Sequence, residues 1–316
     1  MNWKGVVVAL VAISLHTVVP AKEVAKIIIG SAPGAGMDSV TRAISDALGK
    51  QMDRTFIVEN RPGASSNIAA EHVAKAAPDG KTVLITYNAH PAAKSLFPDL
   101  PFDTVKSFRA VGMIASTPYI LVARPGLPGK NLKDMIELAK KDKRTVTFGS
   151  AGLGTPQHLM LERLKKQTGV DVSMVHYKSS SQAQSDVIGG HVDFTLSTVA
   201  FAAPQVKAGR LKALAVTSKD RMADFPDTPT IAESGYDGFI TDGWYAMLLP
   251  ANTPQSVVDA YNTALNKVLA QPSIKERFAG MGLTPRPGTE ESLEKQIRID
   301  EKLWAEVIRE LGIKPQ

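Results

Sequence analysis

Twice along this chain a strand-length apolar run ends in a glycine-containing turn that opens straight into a helix. The first turn is Ile29-Gly30-Ser31-Ala32-Pro33-Gly34-Ala35-Gly36-Met37-Asp38, the second Phe148-Gly149-Ser150-Ala151-Gly152-Leu153-Gly154-Thr155-Pro156. Such units, set within alternating strands and helices, constrain the chain to a layered α/β architecture. Around the first turn, Lys26 to Gly30 predicts a strand and Ser39 to Lys50 a helix with Val40, Ala43, Ile44, Ala47 and Leu48 on its buried face. Thr55 to Glu59 reads as a strand, Asn67 to Ala76 as a helix and Thr82 to Thr86 as a strand. The expectation is a mainly parallel sheet covered on both faces.

The alternation starts afresh at Tyr119. Strands are expected at Tyr119 to Ala123, Thr145 to Phe148, Val172 to His176, Val192 to Leu196 and Ala213 to Val216. Helices are expected at Leu132 to Lys140, from Pro156 to Gln167, and through Ala183 and Val187. Asp224 to Glu233, with prolines at 226 and 229, interrupts the pattern. Trp244 to Leu249 restores a strand that can shape the space between lobes, and three helices follow, the last from Glu290 to Leu311. The 316 residues exceed the size of about 250 to 300 at which single cores stop growing, so two lobes are expected. The division is 1–21 as a leader, 22–118 plus 247–316 as the first α/β domain and 119–246 as the second.

The leader reading rests on Lys4, the apolar stretch Gly5 to Leu15 and the small residues around Val19-Pro20-Ala21. The stretch is shorter than the roughly 18 residues of a membrane span, which points to export with cleavage after Ala21. With no cysteine, disulfides, thiolate chemistry and a cysteine-linked lipid anchor are excluded. The formal charge of +6 becomes +5 without Lys4. That excess helps attract an anion but does not mark a nucleic-acid binder: the run Lys140, Lys141, Lys143 and Arg144 is interrupted by Asp142 and has no aromatic platform.

Each turn offers an anion a row of backbone N–H groups at a helix start, where the dipole also favours negative charge. Gly34 and Gly36 permit close approach in the first turn. Asp38 reads as a helix cap, since its own charge would repel an anion. In the second turn, Thr155 reads as the cap and Pro156 as the first helical residue. Neither turn has the spacing of a dinucleotide or phosphate-loop fingerprint. Tyr177-Lys178-Ser179-Ser180-Ser181 is a further strand-to-helix junction whose hydroxyls either meet ligand or cap the helix; Tyr87, Asn88 and Ala89 hold the equivalent place after the third strand. A hydrolase reading fails because Gly149-Ser150-Ala151-Gly152 lacks the G-x-S-x-G elbow and His158 lies on the same short helix. The six histidines are dispersed with no H-x-x-x-H array, so neither metal nor cofactor is expected.

A series of segments in fixed order adds a resemblance. Val58-Glu59-Asn60-Arg61-Pro62-Gly63, Ala74-Lys75-Ala76-Ala77-Pro78-Asp79-Gly80, Ser150 to Leu159, Gly190-His191-Val192-Asp193, Leu214-Ala215-Val216-Thr217 and Pro229-Thr230-Ile231-Ala232-Glu233-Ser234-Gly235 together resemble the Bug-type extracytoplasmic solute receptors of tripartite tricarboxylate transporters. The resemblance implies a two-lobed type II periplasmic-binding-protein fold closing on an organic acid, with one carboxylate clamped by both turns. On this chain the clamp would be Ser31, Ala32, Pro33, Gly34, Ala35, Gly36, Met37 and Asp38 with Ser150, Ala151, Gly152, Leu153, Gly154 and Thr155. The cleft walls would be Tyr87, Asn88 and Ala89, Ser179, Ser180 and Ser181, and Thr198, Val199 and Ala200. The implied protein is a periplasmic, non-catalytic monomer. Its partners would be a small organic carboxylate and the transporter's membrane subunits, or alternatively a signalling partner. Ser31-Ala32-Pro33 stands where the family has an aromatic residue and a further proline. Ser179 stands for a glycine, Ser65 and Ser66 lie where glycines are common, and Lys81 lies where an aromatic is. These departures alter cleft width and polarity, so aromatic acids, aliphatic acids and carboxylated amides all stay open.

Overall fold

The computed structural model describes residues 22–141, 146–150, 152, 155–177, 179–222, 224–236 and 242–313. The leader reading of 1–21, and the site residues Ala151, Leu153 and Gly154, lie outside them. The strands are β1 (Glu23–Ile29), β2 (Arg54–Asn60), β3 (Thr82–Tyr87), β4 (Phe108–Thr117), β5 (Tyr119–Ala123), β6 (Val146–Ser150), β7 (Val172–His176), β8 (Phe194–Thr198), β9 (Lys212–Val216), β10 (Gly243–Pro250) and β11 (Thr284–Pro285). The helices are α1 (Gly36–Met52), α2 (Asn67–Ala74), α3 (Ala93–Leu96), α4 (Leu132–Lys141), α5 (Pro156–Thr168), α6 (Ser180–Ile188), α7 (Val199–Lys207), α8 (Gln255–Leu269), α9 (Pro272–Gly280) and α10 (Glu290–Glu310).

The strands form two sheets, ordered β11-β4-β10-β3-β1-β2 and β7-β6-β8-β5-β9. Both are mixed rather than mainly parallel. β1 pairs parallel to β2 and β3, while β10 runs antiparallel to β3 and β4. β6 pairs parallel to β7 and β8, while β5 runs antiparallel to β8 and β9. The strands that break the parallel pattern are those joining the lobes, because a chain that leaves one sheet for another and returns must run back through each. β10 begins at Gly243 and its first residues pair with β4, so Trp244 to Ala246 belong to the first sheet rather than to the second domain as the sequence division has them. The long strand β4 and helix α7, which contains Pro204, were not expected.

Alternation along β1 distributes its isoleucines between two cores. Ile27 and Ile29 pack with Val40, Ile44 and Leu48 of α1, whereas Ile28 packs on the opposite face with Ala69, Ala70 and Val73 of α2. The second lobe buries Phe148 in one core with Phe194 and with Leu159, Met160, Leu161 and Leu164 of α5. The terminal helix serves both lobes. Leu293 and Ile297 join the first-lobe core, while Trp304, Val307 and Ile308 pack with Leu161 and Leu164 as well as with Ala92 and Leu96.

Strand direction then fixes where a ligand can sit. β4 runs parallel to β3, and its end at Thr117 leads straight into β5. The C-terminal ends of β1, β2 and β3 therefore face the crossing to the second lobe. In the second sheet Tyr119 pairs with Thr198, so β8, and β6 parallel to it, also end at that crossing. Both lobes direct the ends of their parallel strands, where ligands of open α/β sheets bind, toward one cleft.

Candidate ligand-binding site

The first turn is braced from beneath. Asp38, buried in the opening turn of α1, accepts from the Gly34 N–H at 2.9 Å, from Arg42 Nε at 3.0 Å and from Asn60 Nδ2 at 2.9 Å. Asn60 Nδ2 also reaches the Ser31 carbonyl at 2.9 Å. Burial pushes the Asp38 carboxyl up, but the hydrogen bonds from Arg42, Gly34 and Asn60, with the Arg42 charge, outweigh it and hold the group below the ordinary carboxylate value. Asp38 thus reaches back to the turn from the third helical position, while Ala35 occupies the N-cap without a side-chain bond. The Gly34 N–H, expected to face a ligand, is consumed by this bond. Gly36 and Met37, at the very start of α1, have no intrahelical acceptor for their N–H groups. Ala32, Pro33 and Gly34 are exposed and Ser31 and Ala35 half-buried, whereas the Met37 side chain is part of the core.

The second turn is tied by hydroxyls. Ser150 is fully buried, and its Oγ lies 3.2 Å from the Gly152 carbonyl and 3.3 Å from the Gly152 N–H. Thr155 caps α5, accepting from the His158 N–H at 3.3 Å and donating to the Gly152 carbonyl at 2.7 Å. Pro156 follows as the first helical residue. Each turn contains a glycine at positive φ, Gly34 at +79° and Gly152 at +117°, where an L side chain is strained.

Of the cleft-wall expectations, Ser179 is the N-cap of α6, accepting from the Gln182 N–H and contacting the Ser181 hydroxyl at 2.9 Å. Ser180 Oγ accepts from Gln157 at 3.2 Å. Thr198 is the N-cap residue of α7 with its hydroxyl in no capping bond; Val199 is buried in the second-lobe core and Ala200 follows in the first turn. Asn88 and Ala89 are buried and Tyr87 is half-buried. The Asn88 Oδ1 accepts from the Tyr119 hydroxyl at 3.3 Å, a bond that joins the first-lobe wall to the first residue of the second lobe's sheet. Asn60, Ser66, Asn67 and Tyr119 are site-edge residues that sequence reasoning did not single out. Only the parallel register, which sets Ile29 beside Asn60, brings the first of them under the turn. Among the described residues, no cluster of histidine and acidic side chains could hold a metal ion, and no helix is long and apolar enough to cross a membrane.

With this geometry the chain matches, over residues 40–313, the model of the tripartite tricarboxylate transporter family receptor. It belongs to that family. The receptor is 32% identical to BugT of Bordetella pertussis over 93% of its own length and 91% of that protein's. Among solved structures, an R. palustris protein with adipate is 30% identical and superimposes with a TM-score of 0.85, covering 94% of this chain and 99% of that one. MatC from Rhodopseudomonas palustris with bound malate is 28% identical with a TM-score of 0.82, covering 90% and 99%. The receptor therefore has the two-lobed fold of periplasmic binding proteins.

Proposed function

We propose that this receptor is exported by its leader to the periplasm, holds a small organic carboxylate in the cleft as a monomer, and delivers it to the membrane subunits of a tripartite transporter. The reading is supported by a glycine-containing turn in each lobe, at the ends of strands directed toward the crossing between the lobes. Each ends a strand and opens a helix of more than ten residues, and the one acidic side chain in either turn is already paired with Arg42 and hydrogen-bonded by Asn60. The helix-start N–H groups would replace water around the carboxylate, each charge-assisted bond contributing about 1.5 to 3 kcal/mol net before ordering and desolvation are subtracted. The clamp in this reading comprises Ser31 to Asp38 and Ser150 to Thr155, with Asn88, Tyr87 and Thr198 on the walls.

Binding without turnover fits the same arrangement. The Ser150 hydroxyl is wholly buried and bonded to the backbone of Gly152, which is no posture for a nucleophile. The bound neighbours, carrying malate and adipate, make the carboxylate the shared chemistry at about 30% identity. Native mass spectrometry of gently purified protein, with identification of the released molecule, tests the reading: an organic acid is expected in one-to-one stoichiometry. Release of a cation, a sugar or an amine without a carboxylate would sink it. N-terminal sequencing of exported protein should begin at Lys22.

A further inference from the structure

At the first-lobe edge of the cleft, buried donors accumulate without protein partners. Among the described residues, four buried side-chain polar atoms lack a hydrogen bond, and three of them, Ser31 Oγ, Asn67 Nδ2 and Asn88 Nδ2, belong to residues that follow β1, β2 and β3. Buried polar groups are paired in more than about nine cases of ten, so three orphans on one sheet edge call for a common explanation. Asn67 and Asn88 are only 4% and 2% exposed.

The surroundings fix how these groups are presented. Tyr119 donates to the Asn88 Oδ1, which leaves Nδ2 as the unpaired donor, and Tyr119 is itself tied to Thr217 by N–H to Oγ1 at 2.9 Å. Asn67 follows Ala64, Ser65 and Ser66, three consecutive residues held at φ of 44°, 53° and 76°. Such a run in the left-handed region costs free energy that the surrounding contacts must offset. Ser66 Oγ secures it by donating to the Gly30 carbonyl at 3.2 Å and engaging the Tyr87 hydroxyl. The strained turn thereby carries Asn67 toward the end of β1.

Among the described residues, no hydrogen bond brings a cation to these donors. Arg42 is committed to Asp38 and Asn60, and Arg61 to Glu59. Burial pushes the Tyr87 and Tyr245 hydroxyls up to about 12, and Tyr119 upward too, so the neighbouring phenols stay neutral. A second carboxylate here would shed its water without gaining a counter-charge, and an ammonium would meet two amide NH2 groups that cannot accept from it. A carbonyl or amide oxygen would satisfy the amides at no charge cost.

We infer that Asn88 and Asn67, with Ser31, form a second recognition point that receives an uncharged hydrogen-bond acceptor at the far end of the carboxylate ligand. This rests on the carboxylate-binding reading above. The ligand class is then a monocarboxylate bearing a distal carbonyl or amide, in preference to a plain alkanoate or a diacid of equal length.

Calorimetry on the intact receptor tests it with matched sets of four- to six-carbon acids: the alkanoate, the ω-amide and the diacid. Benzoate, its para-carbamoyl and its para-carboxy derivatives form an aromatic set. In the length that binds best, the amide should exceed both relatives by about tenfold, the ratio expected for one satisfied against one orphaned buried bond. Asn88→Leu and Asn67→Leu should each bring the amide-to-alkanoate ratio toward one. Ser66→Gly, which relaxes the strained turn, should raise the melting temperature while lowering that ratio. A diacid or alkanoate equal to the amide overturns the second recognition point. So does a ratio preserved in the folded asparagine variants. Failure of every acid to bind would instead remove the carboxylate reading itself.

Discussion

The two βα turns perform the same step, ending a strand and opening a helix, yet they are stabilised differently. The first is held by side chains from outside it: Asp38 reaches back from α1, Asn60 comes from β2, and Arg42 closes the network. The second is held by its own hydroxyls, Ser150 and Thr155 both bonding Gly152. A turn braced by a buried carboxylate depends on one charged centre; a turn braced by hydroxyls distributes its hold over neutral bonds of about 1 kcal/mol each. The first lobe should therefore be the more sensitive to a single substitution.

The largest effect is expected from Asp38→Ala. It frees the Gly34 N–H, removes one of the two acceptors of Asn60 Nδ2, and leaves Arg42 without its carboxylate, held only by Asn60 Oδ1. Since Arg42 is about half exposed, water takes over part of that loss, and a destabilisation of about 2 kcal/mol is expected in urea unfolding, with carboxylate affinity reduced at least tenfold. Gly34→Val comes next. No atom lies within 4 Å of the added Cβ, so the cost of about 1 to 2 kcal/mol is purely that of a β-branched residue at φ +79°. Its affinity loss should exceed that of an equally destabilising change on the outer face of α8; unchanged affinity in a folded variant would remove Gly34 from the clamp. Thr155→Ala follows at about 1 kcal/mol, the usual loss of an N-cap. If Thr155→Ala proved more damaging than Asp38→Ala, the contrast between the turns would be reversed.

What was legible in the sequence follows the same division between local and non-local causes. Thr155 and Pro156 announce the start of α5 because capping is a matter of adjacent residues, and the strand at Tyr119 to Ala123 matches its apolar run residue for residue. Asp38 was readable as a helix-start residue, but its partner Asn60 lies on another strand and becomes a neighbour only through parallel register. Asn67 could be placed at a helix start but not on the cleft edge, since that depends on Ser66 meeting Gly30 across 36 residues of chain. Both sheets also came out mixed because the lobe-crossing strands β10 and β5 are set by topology, which periodicity does not report.

Acid should separate the turns most finely. His158, at the start of α5, is buried, and burial lowers its pKa despite the opposing influence of Glu162. In the unfolded chain it takes up a proton near pH 6.5, before the folded protein can do so, hence stability falls as pH drops below that value. Asp38 also has a folded pKa below its unfolded one, but its ordinary value is near 3.8, so its contribution is intact above that pH and is lost only as pH falls through the lower folded value. Between pH 7 and 5 the second turn responds and the first does not. His90, packed between Phe102 and Phe108 and pushed down to about 4 by burial, and His72, lowered chiefly by burial, add slopes of the same sign in this window. His158→Gln should remove a further part, below about 1 kcal/mol per pH unit, when urea unfolding is compared at the two pH values. Asp38→Asn should leave the slope as in the parent while lowering its intercept. Equal slopes in parent and His158→Gln, or a flattened slope in Asp38→Asn, would show that the charged and the hydroxyl-tied turn do not differ in the way their hydrogen bonds indicate.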